Sequence, residues 1–261
     1  MLETRHLTVR FGGHVAVNAI SCCFEPGTLT AIVGPNGAGK TTYFNLISGQ
    51  LPATNGTVHL NGRELSHLSA SARTRAGLGR SFQLTNLFPN LSVLENVRLA
   101  VQAARDGAHL RGLNLWRIWS DHADLMERAL DILTVVSMHA QKDVVVASLS
   151  HGDQRKLEVA LLIALEPSVY MFDEPTAGMS KSETSRFISL IRKVTEGKTL
   201  LTVEHDMGVV FGLADKIAVV VYGEVLAFDT PEAVRANAKV QEAYLGSAVA
   251  EEQAGQQAGG H

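Results

Sequence analysis

The stretch Gly34-Pro35-Asn36-Gly37-Ala38-Gly39-Lys40-Thr41 decides the fold of this chain. Its glycines let backbone N–H groups turn toward a chain of phosphates, which Lys40 can reach as a point charge, while the Thr41 hydroxyl can ligate Mg²⁺. A compact apolar run, Leu29–Val33, precedes the loop, and apolar residues at helical spacing follow it as far as Ser48. This strand–loop–helix context favours a phosphate loop over an ordinary glycine-rich turn, so the sequence predicts a nucleotide site.

Length and composition limit the remaining possibilities. With 261 residues, 46% of them hydrophobic, the chain is long enough for one large domain or for a domain with a subdomain. The net charge of -3 argues against a nucleic-acid partner, and we expect Arg73, Arg75 and Arg80 to form a solvated surface cluster. The N-terminus lacks a signal-peptide core, and every apolar run is shorter than the ~20 residues that span a bilayer, which predicts a soluble cytoplasmic protein.

Two adjacent carboxylates follow another apolar run. Asp173 and Glu174 stand directly after the run from Val169 to Phe172, at the carboxyl end of a predicted strand, where α/β folds bind ligands. We expect Asp173 to hold Mg²⁺ through water and Glu174 to orient or deprotonate an attacking water. The pair alone favours a loop-capping role, but together with the phosphate loop it indicates a nucleotide hydrolase.

Several single residues are further candidates for the nucleotide site. Gln83 can contact Mg²⁺ or the attacking water, although an ordinary surface glutamine is the commoner alternative. His205 follows another apolar strand and can contact the γ-phosphate or make a structural hydrogen bond. Phe11 can stack on the base or pack inside its strand. Val17 and Thr42 complete the candidate contacts to the nucleotide.

The residues Leu149-Ser150-His151-Gly152-Asp153-Gln154-Arg155, here called the signature segment, predict the start of a helix. Ser150 and Asp153 fit a capping box, which is a sufficient structural reason for both residues. Gly152 keeps the helix start open to a ligand, and such starts bind anions. Because the chain already has one phosphate loop, we hypothesise that Ser150, His151 and Gly152 bind the nucleotide of a second, facing chain.

The order of predicted elements indicates the α/β class. We expect a P-loop NTPase core with an N-terminal antiparallel β subdomain and an inserted α-helical subdomain at about 84–165, since apolar residues at helical spacing dominate from Val93 to Val136. A last helix is expected from Pro231 to Leu245. Residues 1–246 are assigned to one domain. The tail 247–261, rich in Ala, Gly, Gln and Glu, is expected to be disordered.

The order of these motifs resembles that of the ATPase subunits of ABC transporters, over nearly the whole chain from Leu2 to about Gly246. The chain is similar in particular to the ATPase subunits of branched-chain amino acid importers. The stretches that carry this second likeness are Arg10-Phe11-Gly12-Gly13, Arg80-Ser81-Phe82-Gln83, Leu87-Phe88-Pro89, Val93-Leu94-Glu95-Asn96-Val97, Val203-Glu204-His205-Asp206-Met207, Tyr222-Gly223-Glu224-Val225 and Glu242-Ala243-Tyr244-Leu245-Gly246.

This resemblance implies the ABC ATPase fold, hydrolysis of ATP with Mg²⁺, and a head-to-tail dimer that holds two ATP molecules between its protomers. The partner in that dimer is either a second copy or a related ATPase. The resemblance also implies that Gln83 and the helical insert receive a short coupling helix of a membrane permease, to which a periplasmic binding protein delivers the substrate. The protein would then be peripheral on the inner face of the cell membrane.

Two positions depart from the commonest pattern of the family. Asp153 stands where glutamine is frequent, and we expect its carboxylate to point away from the nucleotide. Ser180 stands where the segment Ala177-Gly178-Met179-Ser180 usually ends in aspartate. That aspartate normally helps to couple the two sites of a dimer, and its absence leaves the strength of the coupling open.

Rival functions differ in how well they fit these motifs. An ATPase for another cargo, such as urea, another polar solute or lipopolysaccharide, would carry the same core motifs. A soluble ABC ATPase of DNA repair or translation usually has a coiled-coil insert or a second cassette, and the sequence has neither. A small-molecule kinase or a switch GTPase leaves the signature segment unexplained, and the guanine-specific motif Asn-Lys-x-Asp is missing.

Overall fold

The structure, a computed structural model, describes residues 1–81, 87–107, 122–205 and 207–243. These residues form two compact units. Unit 1 contains Met1–Ser69 and the chain from Thr199 onward, and unit 2 is Ala70–Lys198. None of the described helices has both the length and the apolar character needed to cross a bilayer.

Strands and helices alternate along most of the described chain. The strands are β1 (Leu2–Phe11), β2 (His14–Phe24), β3 (Leu29–Val33), β4 (Asn55–Leu60), β5 (Arg63–Glu64), β6 (Leu78–Arg80), β7 (Val169–Asp173), β8 (Thr199–Val203), β9 (Lys216–Val221) and β10 (Glu224–Asp229). The helices are α1 (Lys40–Ser48), α2 (Ala70–Arg75), α3 (Val93–Gly107), α4 (His122–Val135), α5 (His151–Ala164), α6 (Lys181–Val194), α7 (Met207–Leu213) and α8 (Pro231–Ala236). Short 3₁₀ turns occupy His139–Gln141 and Val146–Ser148.

The first sheet of unit 1 is antiparallel, with the strand order β2-β1-β4-β5. Leu2 of β1 pairs with Phe24 of β2 and with Leu60 of β4, and all three side chains are buried. The turn between β4 and β5 is Asn61-Gly62, whose φ angles are 50° and 80°. Two positive φ values are what a type I′ hairpin turn requires, and Asn-Gly is the dipeptide that most readily adopts them.

The second sheet of unit 1 carries the phosphate loop. β3 runs parallel to β8 and β9, and β10 pairs antiparallel with β9, which gives the order β10-β9-β3-β8. Every residue of β3 and β8 is buried, which explains why neither strand alternates between polar and apolar residues. The chain leaves the carboxyl end of β3, forms the loop and enters α1.

Unit 2 combines a short pair of parallel strands with a cluster of helices. β6 pairs with β7, and just beyond β6 the backbone N–H of Ser81 donates to the carbonyl oxygen of Met171 at 2.8 Å. Helices α3, α4 and α5 pack on one another, and Val97, Leu133 and Leu157 are among their buried residues. The helical spacing noted between 93 and 136 is confirmed by α3 and α4 for the described part of that segment.

The element prediction was incomplete at short elements and wrong at one helix end. Helix α2, strand β6 and helix α7 have six, three and seven residues, too few to show a clear period in the sequence. The single helix predicted from Pro231 to Leu245 is interrupted, because α8 ends at Ala236. Asn237 has an extended backbone, and its Oδ1 accepts a hydrogen bond from the N–H of Lys239, which stops α8 before helical residues resume at 238.

Candidate functional site

The phosphate loop of unit 1 needs its glycines for space as well as for conformation. Gly34, Gly37 and Gly39 have φ angles of 154°, 76° and 98°. A Cβ atom on Gly34 would collide with the backbone oxygen of Val220, and one on Gly39 would lie 2.5 Å from the backbone oxygen of Ala16. The loop backbone is therefore packed directly against other backbone of unit 1, where no larger residue fits.

Lys40 lies across this loop. Its side chain is almost fully buried, and its Nζ donates to the backbone oxygens of Gly34 at 2.7 Å and Pro35 at 2.9 Å. Helix α1 begins at this residue, has no side-chain cap and carries no acidic residue in its first turn. A positive charge beside uncapped N–H groups suits an anion, as predicted for a phosphate loop. Thr41 is exposed and Thr42 half-buried at the same helix start.

The turn at Tyr222-Gly223, which the sequence marked only as part of the family likeness, supports the loop from the side. The N–H of Gly223, between β9 and β10, donates to the backbone oxygen of Ala38 at 2.8 Å. The oxygen of Gly223 accepts from the N–H of Asn18, also at 2.8 Å. Tyr222 and Gly223 both have positive φ, the mark of a two-residue hairpin turn. This turn therefore holds the loop by backbone bonds that side-chain patterns do not reveal.

The remaining candidates of unit 1 differ in exposure. Phe11 ends β1 with 52% of its surface exposed, which favours a stacking role over packing inside the strand. Val17 is fully buried, and its role as an ATP contact stays a prediction. His205 lies exposed just beyond β8, after the buried residue Glu204.

In unit 2 a buried ion pair joins the ends of β6 and β7. The Nη2 atom of Arg80 donates to Oδ2 of Asp173 at 3.0 Å, and the two side chains are 7% and 0% exposed. Burial lowers the pKa of the Arg80 guanidinium, and the carboxylate of Asp173 partly opposes this shift. The expectation that Arg73, Arg75 and Arg80 form a solvated cluster is wrong for two of them. Arg73 and Arg80 are buried, and only Arg75 is exposed.

Glu174 has an unusual backbone. Its φ is 48°, in the left-handed region that disfavours residues with a Cβ atom, and its side chain is half-buried. A turn follows at once, in which the N–H of Ala177 donates to the oxygen of Glu174 at 3.2 Å. Such strain of about 1–2 kcal/mol persists where the surrounding structure demands a particular side-chain position.

The signature segment begins α5, as predicted. Ser150 is the N-cap, and its Oγ accepts a hydrogen bond from the backbone N–H of Asp153 at 3.2 Å. The Asp153 carboxylate accepts bonds from Ser150 Oγ at 2.9 Å, Gln141 Nε2 at 3.1 Å and Lys156 Nζ at 2.8 Å. Partial burial alone would raise the pKa of Asp153, but the bonds from Lys156, Ser150 and Gln141 outweigh it and lower this pKa.

Gly152 contrasts with the glycines of the phosphate loop. Its φ is not positive, and a Cβ atom built on it would meet no atom of the described residues within 4 Å outside its own helix backbone. Within its own chain this position therefore imposes no demand for glycine. Ser180, the other unusual position, is the N-cap of α6 and forms a full capping box with Glu183. That box gives a local structural reason for serine at this point.

An apolar pocket of about 370 Å³ lies on unit 2. Helix α3 contributes Leu99 to its lining, α5 contributes Leu161, and Phe88 adds a ring that is 56% exposed. The lining also includes two charged residues, Arg80 and Glu158. Burial raises the pKa of Glu158, although the Arg155 guanidinium lies 2.9 Å from its Oε2 atom. Its Oε1 atom accepts no hydrogen bond from the part of the chain that the structure describes.

Some predicted features lie outside the described residues. They are Gln83, the proposed ligand of Mg²⁺ and water, and the tail 247–261. Among the described candidates, the glycines of the phosphate loop lie in unit 1 together with Lys40 and Thr41. Asp173, Glu174 and the signature segment all belong to unit 2.

Comparison with known proteins identifies relatives of this chain. The profile of the family described as "ABC transporter" matches residues 17–177, and the profile described as "Branched-chain amino acid ATP-binding cassette transporter" matches residues 224–250. The high-affinity branched-chain amino acid transport ATP-binding protein LivG of Escherichia coli (strain K12) is 36% identical over 251 residues. The aligned part covers 95% of this chain and 98% of LivG.

Solved structures show the same fold. The ADP conformation of an ATP-binding cassette of an ABC transporter is 25% identical with a TM-score of 0.81, covering 94% of this chain and 98% of that one. The dimeric structure of a bacterial ABC transporter cassette is 26% identical with a TM-score of 0.73, covering 88% and 99%. The predicted α/β P-loop class is thereby confirmed. The chain belongs to the ATP-binding cassette family of ABC transporters and is one of their nucleotide-binding ATPases.

Proposed function

We propose that this chain is the ATP-hydrolysing subunit of an importer for branched-chain amino acids. The proposal for the cargo rests on the extent of the match to LivG, which aligns over almost its full length. The name of LivG states that it serves branched-chain amino acid transport. The second family profile, at residues 224–250, lies outside the general cassette match and points to the same branch. Urea, another polar solute or lipopolysaccharide has no comparable support.

The residues present suit a Mg²⁺ ion. The Thr41 hydroxyl and the Asp173 carboxylate are oxygen donors, which Mg²⁺ prefers, and Gln83 adds an amide oxygen. Among the described residues no group of three or more His, Cys, Asp or Glu side chains forms a separate metal site. A Mg²⁺ ion at a nucleotide site needs only one or two protein ligands, because phosphates and water supply the rest. When bound, it neutralises charge that develops on the phosphates.

The proposed reaction is in-line attack of water on the γ-phosphate of ATP. Lys40 and the glycine-rich backbone hold the phosphates, and Glu174 accepts a proton from the attacking water or orients it. His205 contacts the γ-phosphate, Gln83 contacts the water, and Phe11 stacks on adenine. Most of the rate enhancement then comes from positioning and charge stabilisation, since phosphoryl transfer needs little covalent chemistry from the protein.

The partner in hydrolysis is a second cassette, which is either another copy or a related ATPase. Gly152 supports this proposal, because its φ is not positive and, outside its own helix, no described residue comes within 4 Å of a Cβ atom built on it. A surface position that its own chain leaves open suits close approach by a ligand from outside. Ser150, His151 and Gly152 therefore bind the ATP held by the facing protomer, whose own signature segment completes the other site. ATP closes the dimer and hydrolysis opens it.

The apolar pocket of unit 2 is the proposed docking site for a cytoplasmic segment of the membrane permease. It is lined by leucines and an exposed phenylalanine, which suit an apolar helix. Glu158 adds a buried carboxylate oxygen that the described residues leave without a donor. The docking segment should therefore bring a basic or hydrogen-bonding side chain. Docking would hold the subunit at the inner face of the membrane. A periplasmic binding protein would deliver the substrate to the permease from the opposite side.

ATPase assays on the reconstituted transporter test this function. The chain is purified together with its membrane subunits, reconstituted in liposomes, and its ATPase rate measured with binding proteins loaded with leucine, isoleucine or valine. We expect stimulation by at least one of the three and none by the same binding proteins without ligand. Stimulation only by urea-loaded or other binding proteins would refute the cargo while sparing the ATPase. The absence of any ATP hydrolysis would refute both.

A further inference from the structure

The ion pair between Arg80 and Asp173 lies where a metal-holding carboxylate is proposed. Both side chains are almost completely shielded from water, at 7% and 0% exposure. Arg80 ends β6, and Asp173 ends the neighbouring parallel strand β7. Arg80 lies opposite Met171 in the register, two residues before the carboxylate. The guanidinium thus reaches along the strand pair to one particular oxygen, Oδ2.

A guanidinium in this position restricts what the carboxylate can do. An aspartate at a strand end can rotate about two side-chain torsions, and a donor fixed at Oδ2 selects one of the resulting orientations. Arginine suits this task because its planar fork keeps its charge and direction when buried. Carboxylates that hold metals are commonly oriented by such outer partners, and their loss typically weakens metal binding by about 10–100-fold.

We propose that Arg80 is a positioning residue for hydrolysis: it orients the Asp173 carboxylate toward the Mg²⁺ of bound Mg·ATP. This inference rests on the proposed role of Asp173. In this proposal Arg80 acts on the metal through Asp173. The alternative is a purely structural pair that ties β6 to β7.

The two possibilities differ in what they change. A structural pair affects folding stability and affects ATP binding equally with and without Mg²⁺. A positioning residue affects the contribution of Mg²⁺ specifically. The first measurement is therefore the affinity of the purified chain for ATP, in Mg²⁺ and in EDTA. The second is its affinity for Mn²⁺ in the presence of ATP, measured by electron paramagnetic resonance. Thermal unfolding of each variant reports on stability.

Arg80→Met should weaken Mn²⁺ binding in the presence of ATP by about 10–100-fold, with ATP binding in EDTA unchanged. Arg80→Lys keeps the charge but loses the planar fork, so its loss should be smaller. Arg75→Met removes the same charge from an exposed side chain five residues earlier and should leave both affinities at the wild-type value. Equal losses in Mg²⁺ and EDTA for both Arg80 variants would overturn the proposal.

A double-mutant cycle with Asp173→Asn separates this proposal from the function on which it rests. If Arg80 acts only through Asp173, adding Arg80→Met to Asp173→Asn should cause no further loss of Mn²⁺ affinity. The double variant also removes both buried charges, so it remains informative if Arg80→Met alone does not fold. A further loss in the double variant contradicts the inference about Arg80. Unchanged Mn²⁺ binding in Asp173→Asn alone contradicts the metal role of Asp173 itself.

Discussion

At the scale of single residues, Glu174 shows how a functional position departs from what local conformation favours. Its φ of 48° is one that glycine adopts without strain and glutamate does not. Its neighbour Asp173, by contrast, ends a regular strand. Glu174, the proposed base, therefore has a strained backbone, whereas the adjacent Asp173 has a regular one.

Replacing Glu174 should separate stability from hydrolysis. Glu174→Gln keeps the strained backbone and should bind ATP and dimerise with almost no turnover. Glu174→Gly should lose turnover equally but gain about 0.5–1 kcal/mol in unfolding free energy over Glu174→Gln, because glycine relieves the strain. Denaturant unfolding and ATPase rates of the two variants check this. Normal turnover in Glu174→Gln would remove the residue from the role of base.

Asp153 should make stability depend on acid. Its pKa is lowered in the folded chain, so it adds stability above its unfolded pKa of about 3.9, and this stability is lost as the pH falls through the lower folded pKa. Asp153→Asn should therefore be less stable than the wild type at pH 7, and the difference should shrink below pH 4. Thermal unfolding between pH 7 and pH 3 measures it. Asp124→Asn, an exposed carboxylate in α4, is the control.

At the scale of elements, the start of α5 serves two purposes at once. Ser150 caps the helix through its Oγ, and the same hydroxyl is the proposed contact to a facing ATP. Thr230 caps α8 in the same way, by accepting from the N–H of Ala233, but has no proposed role in hydrolysis. The caps at Ser150 and Thr230 are thus similar, but only Ser150 belongs to the candidate site.

Removing each cap should distinguish its two roles. Ser150→Ala and Thr230→Ala should each lower the unfolding free energy by about 1 kcal/mol, the usual loss for an N-cap. Only Ser150→Ala should also lower the ATPase rate under conditions where the wild type dimerises. Chemical denaturation and steady-state hydrolysis provide the two readouts. Equal hydrolysis in both variants would leave Ser150 as a helix cap alone.

The elements also show what the sequence could predict. Long strands, the phosphate loop and the helix starts have local signals, such as apolar runs, glycine patterns and capping residues, and these were found. Strand β6 has only three residues, too few for a hydrophobic pattern that would predict the burial of Arg80. The partner of Arg80, Asp173, is 93 residues away in sequence, a separation that no local pattern spans. The capping box at Ser180 has a local signal too, because Glu183 stands three residues after the serine.

At the scale of the whole molecule, the proposed dimer has each chain contribute two different halves to hydrolysis. Under the proposed dimer, one protomer supplies Lys40 and Glu174, and the other supplies Ser150 and Gly152. A chain defective in one half can therefore still complete a site with a partner defective in the other half. Under the same proposal, isolated monomers should hydrolyse ATP very slowly, because each site lacks the signature segment of a partner chain.

Mixing two inactive variants should restore activity. Glu174→Gln and Ser150→Ala chains should each show low hydrolysis alone. In a mixture, some dimers combine the intact Glu174 of one chain with the intact Ser150 of the other. The ATPase rate of an equimolar mixture should then exceed the mean of the two separate rates several-fold. A mixture that matches this mean at every concentration would contradict shared sites.

The pocket of unit 2 has a consequence for chemical intervention. Its volume of about 370 Å³ lies within the range of sites that hold small organic molecules, and its lining is mostly aliphatic. Arg80, whose guanidinium donates a hydrogen bond to Asp173, lines part of this pocket. A compound bound there would compete with the proposed permease segment and contact the arginine that is proposed to orient the carboxylate. Such an inhibitor would act on transport without resembling a nucleotide, and so would avoid the many other enzymes that bind ATP.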